Sequence, residues 1–180
     1  SPVYYNIYLN PLGGKVGVGS NTALTNTFTV TGQTFFCGHK FLVNRSVLIP
    51  RPETEELVEL ARNEFGKNET LKILEVGTGS GCIAISLKKY FVNAEIIAID
   101  ISADALNVAI QNAVNLNASI QFLQFDFLNT APFSEEKFDL IISNPPYISV
   151  LEKNQIQKNV LLYEPQIALF PIGADPLIFY

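Results

Sequence analysis

The sequence has 180 residues, of which 48% are hydrophobic and 16% are charged, so it predicts a folded chain with one substantial core rather than a disordered one. A net charge of −5 without a Lys/Arg cluster argues against tight binding to nucleic acid, and no apolar run is long enough for a transmembrane helix. The isolated Cys37, Cys82 and His39 do not form a metal-binding pattern. Together these features favour a soluble, cytoplasmic protein without a metal.

The first 30 residues differ in character from the rest and form an atypical, unassigned N-terminal segment. They contain a glycine-rich stretch followed by a β-like alternation, "TALTNTFTV". Residues 31–50 then predict a β-hairpin around Gly38 and a linker. Pro52 and the acidic "PETEE" favour the first turn of a helix. The apolar residues at helical spacing in that helix are Leu57, Val58, Leu60, Ala61 and Phe65.

From residue 51 onward, apolar strands alternate with helices. The predicted strands are Leu71–Val76, Glu95–Asp100, Ser119–Gln124 and Phe138–Ser143, and the helices cover residues 82–91 and 102–117. Ser102 is the expected N-cap of the second of these helices, and its predicted buried face comprises Leu106, Ala109, Ile110 and Ala113. The pattern predicts an α/β fold with a Rossmann-like, doubly wound and mainly parallel sheet, preceded by a small β-hairpin.

A glycine-rich loop, "GTGSG", follows the first of these strands directly and opens a helix. It contains Gly77, Thr78, Gly79 and Gly81, in the position where such sheets bind nucleotides. A dinucleotide fingerprint would have a third glycine where Cys82 stands, and a phosphate-binding P-loop would have a lysine. The loop therefore suits a ligand without phosphates, such as a nucleoside joined to an amino acid.

Three further residues are candidate ligand contacts, each with a structural alternative. Asp100 ends the second strand, where a carboxylate can accept both ribose hydroxyls of an adenosine or cap the next helix. Glu75 precedes the loop and can bind the loop amides or an ammonium group of the ligand, or simply brace the loop. Phe127 follows the third strand, where it can contact an adenine ring or belong to the core.

The fourth strand ends in "NPPY", Asn144 to Tyr147. Two consecutive prolines remove two backbone donors and fix two φ angles, which makes a stiff corner rich in carbonyl groups. An ordinary strand-ending turn is the alternative interpretation.

The motifs "EVGTGSG", "AID" and "NPPY" resemble those of class I S-adenosyl-methionine-dependent methyltransferases that methylate planar nitrogens. The stretches "GQTFFCGHKFLVNRSVLIPRPETEELVE" and "LLYEPQIALF" resemble, more specifically, the peptide-chain release factor glutamine N(5)-methyltransferases. The resemblance implies S-adenosyl-L-methionine as cofactor, a release factor as protein partner, and a methyltransferase domain over residues 51–180. It also implies that this domain lacks the C-terminal part of the family, and that residues 49–55 line the cofactor side, although helix capping by Glu53 and Glu55 explains the acids equally well.

The same resemblance gives the corner a catalytic role. The Asn144 side-chain oxygen and the Pro145 carbonyl can each accept one N–H of a glutamine amide and hold its nitrogen in line with the sulfonium methyl group. Fixed carbonyl dipoles stabilise the positive charge that grows on this nitrogen, and Pro145 and Pro146 keep them rigid. Tyr147 can stack on the planar amide. Asn144 is expected to contact the cofactor as well, and no general base is required.

Three alternatives stay open at this point. An amino-methylase of DNA or RNA bases would use the same corner, although the acidic charge makes nucleic acid an unlikely direct substrate. An NAD-dependent oxidoreductase would bind its dinucleotide at the loop, although Cys82 disfavours it. A truncated domain could bind cofactor without turnover. The sequence does not indicate an oligomeric state.

Overall fold

The computed structural model describes residues 32–129, 133, 136–148, 160, 163–171 and 178–179. The atypical segment predicted over residues 1–30 lies outside the described residues. The predicted hairpin is confirmed: β1 (Gly32–Phe36) pairs antiparallel with β2 (His39–Val43). Its two-residue turn places Cys37 at φ 46° and Gly38 at φ 75°, the left-handed conformations that a tight hairpin turn requires.

The helix predicted after Pro52 begins with one 3₁₀ turn, Pro52–Thr54, and continues as α1 (Glu55–Glu64). Val58 and Ala61 are buried against the core, whereas Leu60 is 66% exposed. Only one stripe of α1 faces the core. A residue two positions after Val58 lies on the opposite side of the helix.

In the part of the chain that the structure describes, four strands form one parallel sheet, which confirms the predicted α/β class and its mainly parallel, Rossmann-like sheet. The strands are β3 (Lys72–Val76), β4 (Glu95–Asp100), β5 (Gln121–Gln124) and β6 (Leu140–Ser143), in the spatial order β5-β4-β3-β6. After β3 the chain builds outward through β4 and β5, and then returns to place β6 on the other side of β3. Ligands bind beyond the carboxyl ends of the strands at such a switch point.

The two faces of this sheet are covered differently. On one face, Ile73, Ile96 and Ala98 join a core with residues of α1, of α2 (Cys82–Tyr90) and of α3 (Ala103–Asn115). On the other face, a smaller cluster forms around Leu74 and Ile99, with three aromatic side chains packed on it: Phe125, Phe133 and Phe138. No helix in the described part of the chain has the length and apolar character needed to cross a bilayer.

Helix α3 begins as predicted, because the Ala105 N–H donates to the Ser102 hydroxyl at 3.2 Å. Its buried face differs in part from the prediction, since Ile110 is 44% exposed. The buried residues are Ala105, Leu106, Val108, Ala109, Asn112 and Ala113. Val108 and Ala105 pack with Val43 of the hairpin, so α3 packs against the hairpin as well as against the sheet. This second partner turns the buried face away from Ile110.

A buried asparagine joins the hairpin to the sheet domain. The Asn112 side chain is 1% exposed, accepts from the Leu42 N–H at 2.7 Å, and donates to the Leu42 carbonyl and the Ser80 carbonyl at 2.9 Å each. At the other end of the hairpin, the Cys37 N–H donates to Glu55 at 2.8 Å. The hairpin is therefore fixed to α1, to α3 and to the glycine loop.

Candidate active site

The glycine loop and the proline corner lie side by side because their strands are neighbours. β3 and β6 run parallel with Val76 opposite Ser143, so both motifs begin at the same level of the sheet. The Ser143 hydroxyl also donates to the Val76 carbonyl at 2.8 Å. Residues of both motifs line one cleft of about 1150 Å³, open solvent at its mouth included. Motifs that are distant in sequence thus form a common site.

Three successive amides of the loop are already hydrogen-bonded to the end of β4. The Gly77 and Thr78 N–H groups donate to the Ile99 carbonyl at 2.9 and 3.0 Å, and the Gly79 N–H donates to the Asp100 carboxylate at 2.8 Å. Phosphate-binding loops direct such amides at their ligand. A loop whose amides are used by the protein itself agrees with the expectation of a ligand without phosphates.

The three loop glycines serve two different purposes. A Cβ added to Gly77 or Gly79 would meet no atom within 4 Å, and both residues line the cleft. A Cβ on Gly81 would lie 3.1 Å from Ala109 of α3 and from the Ile85 side chain. Gly81 does not line the cleft; its φ of 78° and its close contacts allow α2 to begin against α3. Direct cofactor contact by Gly81 stays a prediction, and the geometry assigns this glycine a packing role.

Asp100 lies at the wall of the cleft, where both of its carboxylate oxygens accept backbone N–H groups. One accepts from Gly79 at 2.8 Å, and the other from Ser102 at 2.9 Å, at the start of α3. Both the loop and the helix start therefore depend on this carboxylate. Each oxygen retains a further lone pair, so the expected contact with ribose hydroxyls is compatible with this bracing and stays a prediction.

Glu75 is a fully buried carboxyl group that also lines the cleft. One oxygen accepts from the Thr78 hydroxyl, whereas the other, Oε1, meets no hydrogen-bond partner among the described residues. Burial raises the pKa of Glu75 to about 8, although the Thr78 hydroxyl and the Ala84 N–H act in the opposite direction, and the nearby Asp100 charge also raises it. The raised pKa favours the protonated carboxyl near pH 7 in the absence of a neighbouring cation.

The proline corner forms the opposite wall. The Asn144 Nδ2 group donates to the Thr54 hydroxyl at 3.2 Å, and Pro145 and Pro146 line the cleft next to it. Tyr147 is 59% exposed and is not one of the lining residues. The structure thus brings Asn144 and both prolines to the glycine loop and leaves the tyrosine ring outside. The catalytic roles of all four stay predictions.

Phe127 lines the cleft beyond β5 and is 38% exposed, whereas Phe125 packs into the core beside it. This exposure argues against a core role for Phe127, and its contact with an adenine ring stays a prediction. The preceding Asp126 has a lowered pKa because the Asn129 side chain donates to its carboxylate at 2.8 Å. Among the described residues, no group of three or more His, Cys, Asp or Glu side chains is arranged to hold a metal ion.

Residues of the link before α1 complete the cleft, as expected for the stretch 49–55, but the individual residues were not predicted. Pro50, Arg51 and Thr54 are lining residues. Arg51 Nη2 lies 2.6 Å from Glu164 Oε1, and the Glu164 side chain is 5% exposed. Among the described lining residues Arg51 is the one cation, and it is engaged by Glu164. Glu53 is exposed, and Glu55 holds the hairpin turn.

Known methyltransferases match the part of the chain that contains the sheet and the cleft. Residues 67–168 match a family described as "Methyltransferase domain". The chain is 51% identical to the release factor glutamine methyltransferase of Flavobacterium psychrophilum and 44% identical to that of Bacillus subtilis, in each case over 84% of this chain and 54% of the relative. The chain therefore spans about half the length of the curated relatives it matches.

A solved structure shows the fold alone. The tRNA (uracil-54, C5)-methyltransferase of Pyrococcus abyssi, solved in complex with S-adenosyl-L-homocysteine, is similar over 67% of this chain and 29% of that chain. The TM-score is 0.52 and the sequence identity 20%.

Proposed function

The chain belongs to the methyltransferase-domain family, and on this premise we propose that it transfers a methyl group from S-adenosyl-L-methionine to the side-chain amide nitrogen of a glutamine in a peptide-chain release factor. The observation that carries the proposal is the common cleft, in which the corner at Asn144 faces the glycine loop across adjacent strands. The substrate rests on the similarity to relatives named release factor glutamine methyltransferases.

S-adenosyl-L-methionine is the methyl donor of this family, and the residues present fit it. It has an adenosine with two ribose hydroxyls, a sulfonium and an ammonium cation, and no phosphate. Asp100 would accept from the ribose hydroxyls, Phe127 would contact the adenine, and Gly77 and Gly79 would allow close approach of the backbone. The unpaired Oε1 of Glu75 would face the cationic end.

Two other loop residues support this site. The Thr78 hydroxyl holds one oxygen of Glu75, which leaves Oε1 for the ligand. Gly81 fixes the start of α2 against α3 and thereby keeps the loop in place.

The corner supplies what an amide nucleophile needs. The bound donor provides an electrophilic methyl group on sulfur. The lone pair of an amide nitrogen is delocalised into its carbonyl, so orientation and charge stabilisation carry the catalysis. The Asn144 oxygen and the Pro145 carbonyl would accept the two N–H groups, hold the nitrogen at attack distance, and stabilise the positive charge that develops on it as the methyl–sulfur bond breaks. S-adenosyl-L-homocysteine would then leave, and the methylated nitrogen would release one proton to water. Pro146 keeps these dipoles from turning away. Tyr147, exposed beside the corner, would cover the planar amide of the arriving substrate.

The proposal extends to the organisation and setting of the chain. Residues 31–50 form the hairpin and linker, and residues 51–180 belong to the methyltransferase domain. We assign the protein to the cytoplasm, where release factors act. The net charge of −5 supports a protein substrate rather than nucleic acid.

The proposal is tested by offering competing substrates. The chain is incubated with methyl-labelled S-adenosyl-L-methionine and either a purified release factor, double-stranded DNA or RNA. Label in the release factor supports the proposal, whereas label confined to DNA or RNA establishes a base methylase instead. Calorimetry with NAD(H) addresses the oxidoreductase alternative. Because the loop amides are already occupied, we expect binding of S-adenosyl-L-methionine and none of NAD(H).

A further inference from the structure

The motif "RPET", residues 51–54, is not explained by cofactor or substrate chemistry. Thr54 is the last residue of its 3₁₀ turn, is 8% exposed, and lines the cleft next to the corner. It makes no side-chain cap of α1, which begins directly after it. Its hydroxyl instead accepts a hydrogen bond from the Asn144 side chain at 3.2 Å, across 90 residues of sequence.

We propose that Thr54 is a positioning residue for the catalytic Asn144: by binding Nδ2 it fixes the side-chain amide so that Oδ1 is the group presented to the substrate. The inference rests on the proposed function, in which Oδ1 accepts a substrate N–H. An asparagine amide has a donor at one end and an acceptor at the other, so a half-turn about χ2 exchanges them. A turned Asn144 would direct its own N–H groups at the substrate N–H groups and would repel them.

The backbone around Asn144 is already held, so the orientation of its side-chain amide is what remains to be set. β6 ends at Ser143, whose hydroxyl binds the Val76 carbonyl at 2.8 Å, and the following Pro145 restricts Asn144 to extended backbone. Neither constraint selects between the two orientations of the side-chain amide. A fixed hydrogen-bond partner at one end of the amide does select one of these orientations.

Thr54 is itself fixed, as this role requires. Its N–H donates to the Arg51 carbonyl at 3.0 Å, and the intervening Pro52 stiffens the turn. The Arg51 side chain is anchored at 2.6 Å to the buried Glu164, and the Ile148 N–H donates to the Leu169 carbonyl at 3.2 Å. The segment 164–169 therefore holds both the turn that carries Thr54 and the chain that leaves the corner. The β-branched Thr side chain also has few χ1 alternatives.

The test compares Thr54→Val, which has nearly the same shape but no hydroxyl, with Thr54→Ser, which keeps the hydroxyl. Thr34 of β1 is also 8% exposed, so Thr34→Val is a matched control for the loss of a buried threonine hydroxyl away from the cleft. Methyl transfer to a release factor is measured as kcat and KM, and cofactor binding by calorimetry. We expect Thr54→Val to lower kcat about tenfold, the equivalent of one neutral hydrogen bond, with cofactor affinity unchanged. Thr54→Ser should restore most of the rate, and Thr34→Val should behave as the parent.

The double variant Thr54→Val with Asn144→Ala separates positioning from a general loss of structure. If Thr54 acts through Asn144, the double variant is no slower than Asn144→Ala alone. The inference is overturned if Thr54→Val retains the parental kcat, if Thr54→Ser is as slow as Thr54→Val, or if Thr34→Val loses as much.

An NMR measurement keeps this inference separate from the proposed function. The side-chain NH₂ signals of Asn144, identified by their loss in Asn144→Asp, should shift in Thr54→Val and stay in place in Thr34→Val. If the parent transfers no methyl group to a release factor, the proposed function fails. The NMR signals then still decide whether Thr54 orients the amide.

Discussion

The glycine loop after β3 and the proline corner after β6 lie at the same edge of the sheet but are held in different ways. The amides of Gly77, Thr78 and Gly79 are bonded to the end of the adjacent strand β4. The side chain of Asn144, by contrast, is oriented by Thr54, which arrives from a link ahead of the sheet. The side proposed to bind the cofactor is therefore held mainly by a neighbouring strand, whereas the side chain proposed to be reactive is held by a segment from outside the sheet. Substitutions in the loop and in the corner should therefore affect cofactor binding and methyl transfer separately.

The largest effect is expected for Asn144→Ala. Removing one positioned dipole from a charge-stabilising site costs about 10²–10³ in kcat. Methyl transfer should fall by this factor while the calorimetric affinity for S-adenosyl-L-methionine falls much less, because Asn144 is only one of the expected cofactor contacts and the loop and Asp100 do not depend on its side chain. An equal loss of affinity and rate would show that the two sides are not separable.

The next effect concerns Asn112, which bonds the loop to the hairpin. Asn112→Leu leaves the Leu42 N–H, the Leu42 carbonyl and the Ser80 carbonyl without a partner, so we expect it to lower the free energy of unfolding by about 3 kcal/mol. Urea titration measures the change. Asn115→Leu, at the exposed end of the same helix, is the control and should change stability by no more than about 0.5 kcal/mol.

Glycine substitutions sharpen the contrast within the loop. Gly81→Ala introduces a Cβ 3.1 Å from Ala109 at a positive φ, and should cost about 2 kcal/mol of stability. Gly77 has a similarly positive φ, but a Cβ there would meet open space in the cleft. Gly77→Ala should therefore lower the free energy of unfolding less than Gly81→Ala. Relative to this loss of stability, its loss of cofactor affinity should be larger. The account of two glycine roles is wrong if both variants lose stability and affinity in the same proportion.

The smallest effect is a pH dependence from Glu75. Its pKa is raised from an ordinary 4.5 to about 8, so between these values the unfolded chain has released a proton that the folded chain keeps. The free energy of unfolding without cofactor should therefore fall as pH rises, through this group by about 1.4 kcal/mol between pH 6 and pH 7. Glu75→Gln should remove this contribution. Identical pH profiles of urea unfolding for the parent and Glu75→Gln would contradict it.

Much of the fold follows from local sequence pattern. Short runs rich in apolar residues identified the four strands of the parallel sheet that the structure describes, and the serine before α3 identified its cap. What the pattern could not give was the orientation of helix faces. Ile110 was expected on the buried face of α3 but is exposed. The face that a helix buries depends on the elements it contacts, and the periodicity of α3 does not reveal its contact with the hairpin.

The candidate site, like the fold, could be predicted from the sequence only in part. The loop, Asp100 and the corner each occupy a strand end, so their meeting could be expected from the parallel sheet. Thr54 and Asn112 could not be assigned roles, because their partners lie 90 and 70 residues away. A signal for Asn112 was nevertheless present: it is a polar residue three positions after Ala109 on an apolar helix face, where an unpaired amide would be costly.

The most direct measurement of the central claim combines binding and chemistry in one sample. The chain is saturated with methyl-labelled S-adenosyl-L-methionine, mixed with excess release factor for a single turnover, and the labelled atom is located by mass spectrometry of the digested factor. The account predicts one methyl group on a glutamine side-chain nitrogen from the parent. It predicts at least a hundredfold slower labelling from Asn144→Ala at equal cofactor occupancy. Cofactor binding without labelling by the parent, or equal labelling rates for parent and Asn144→Ala, would contradict it.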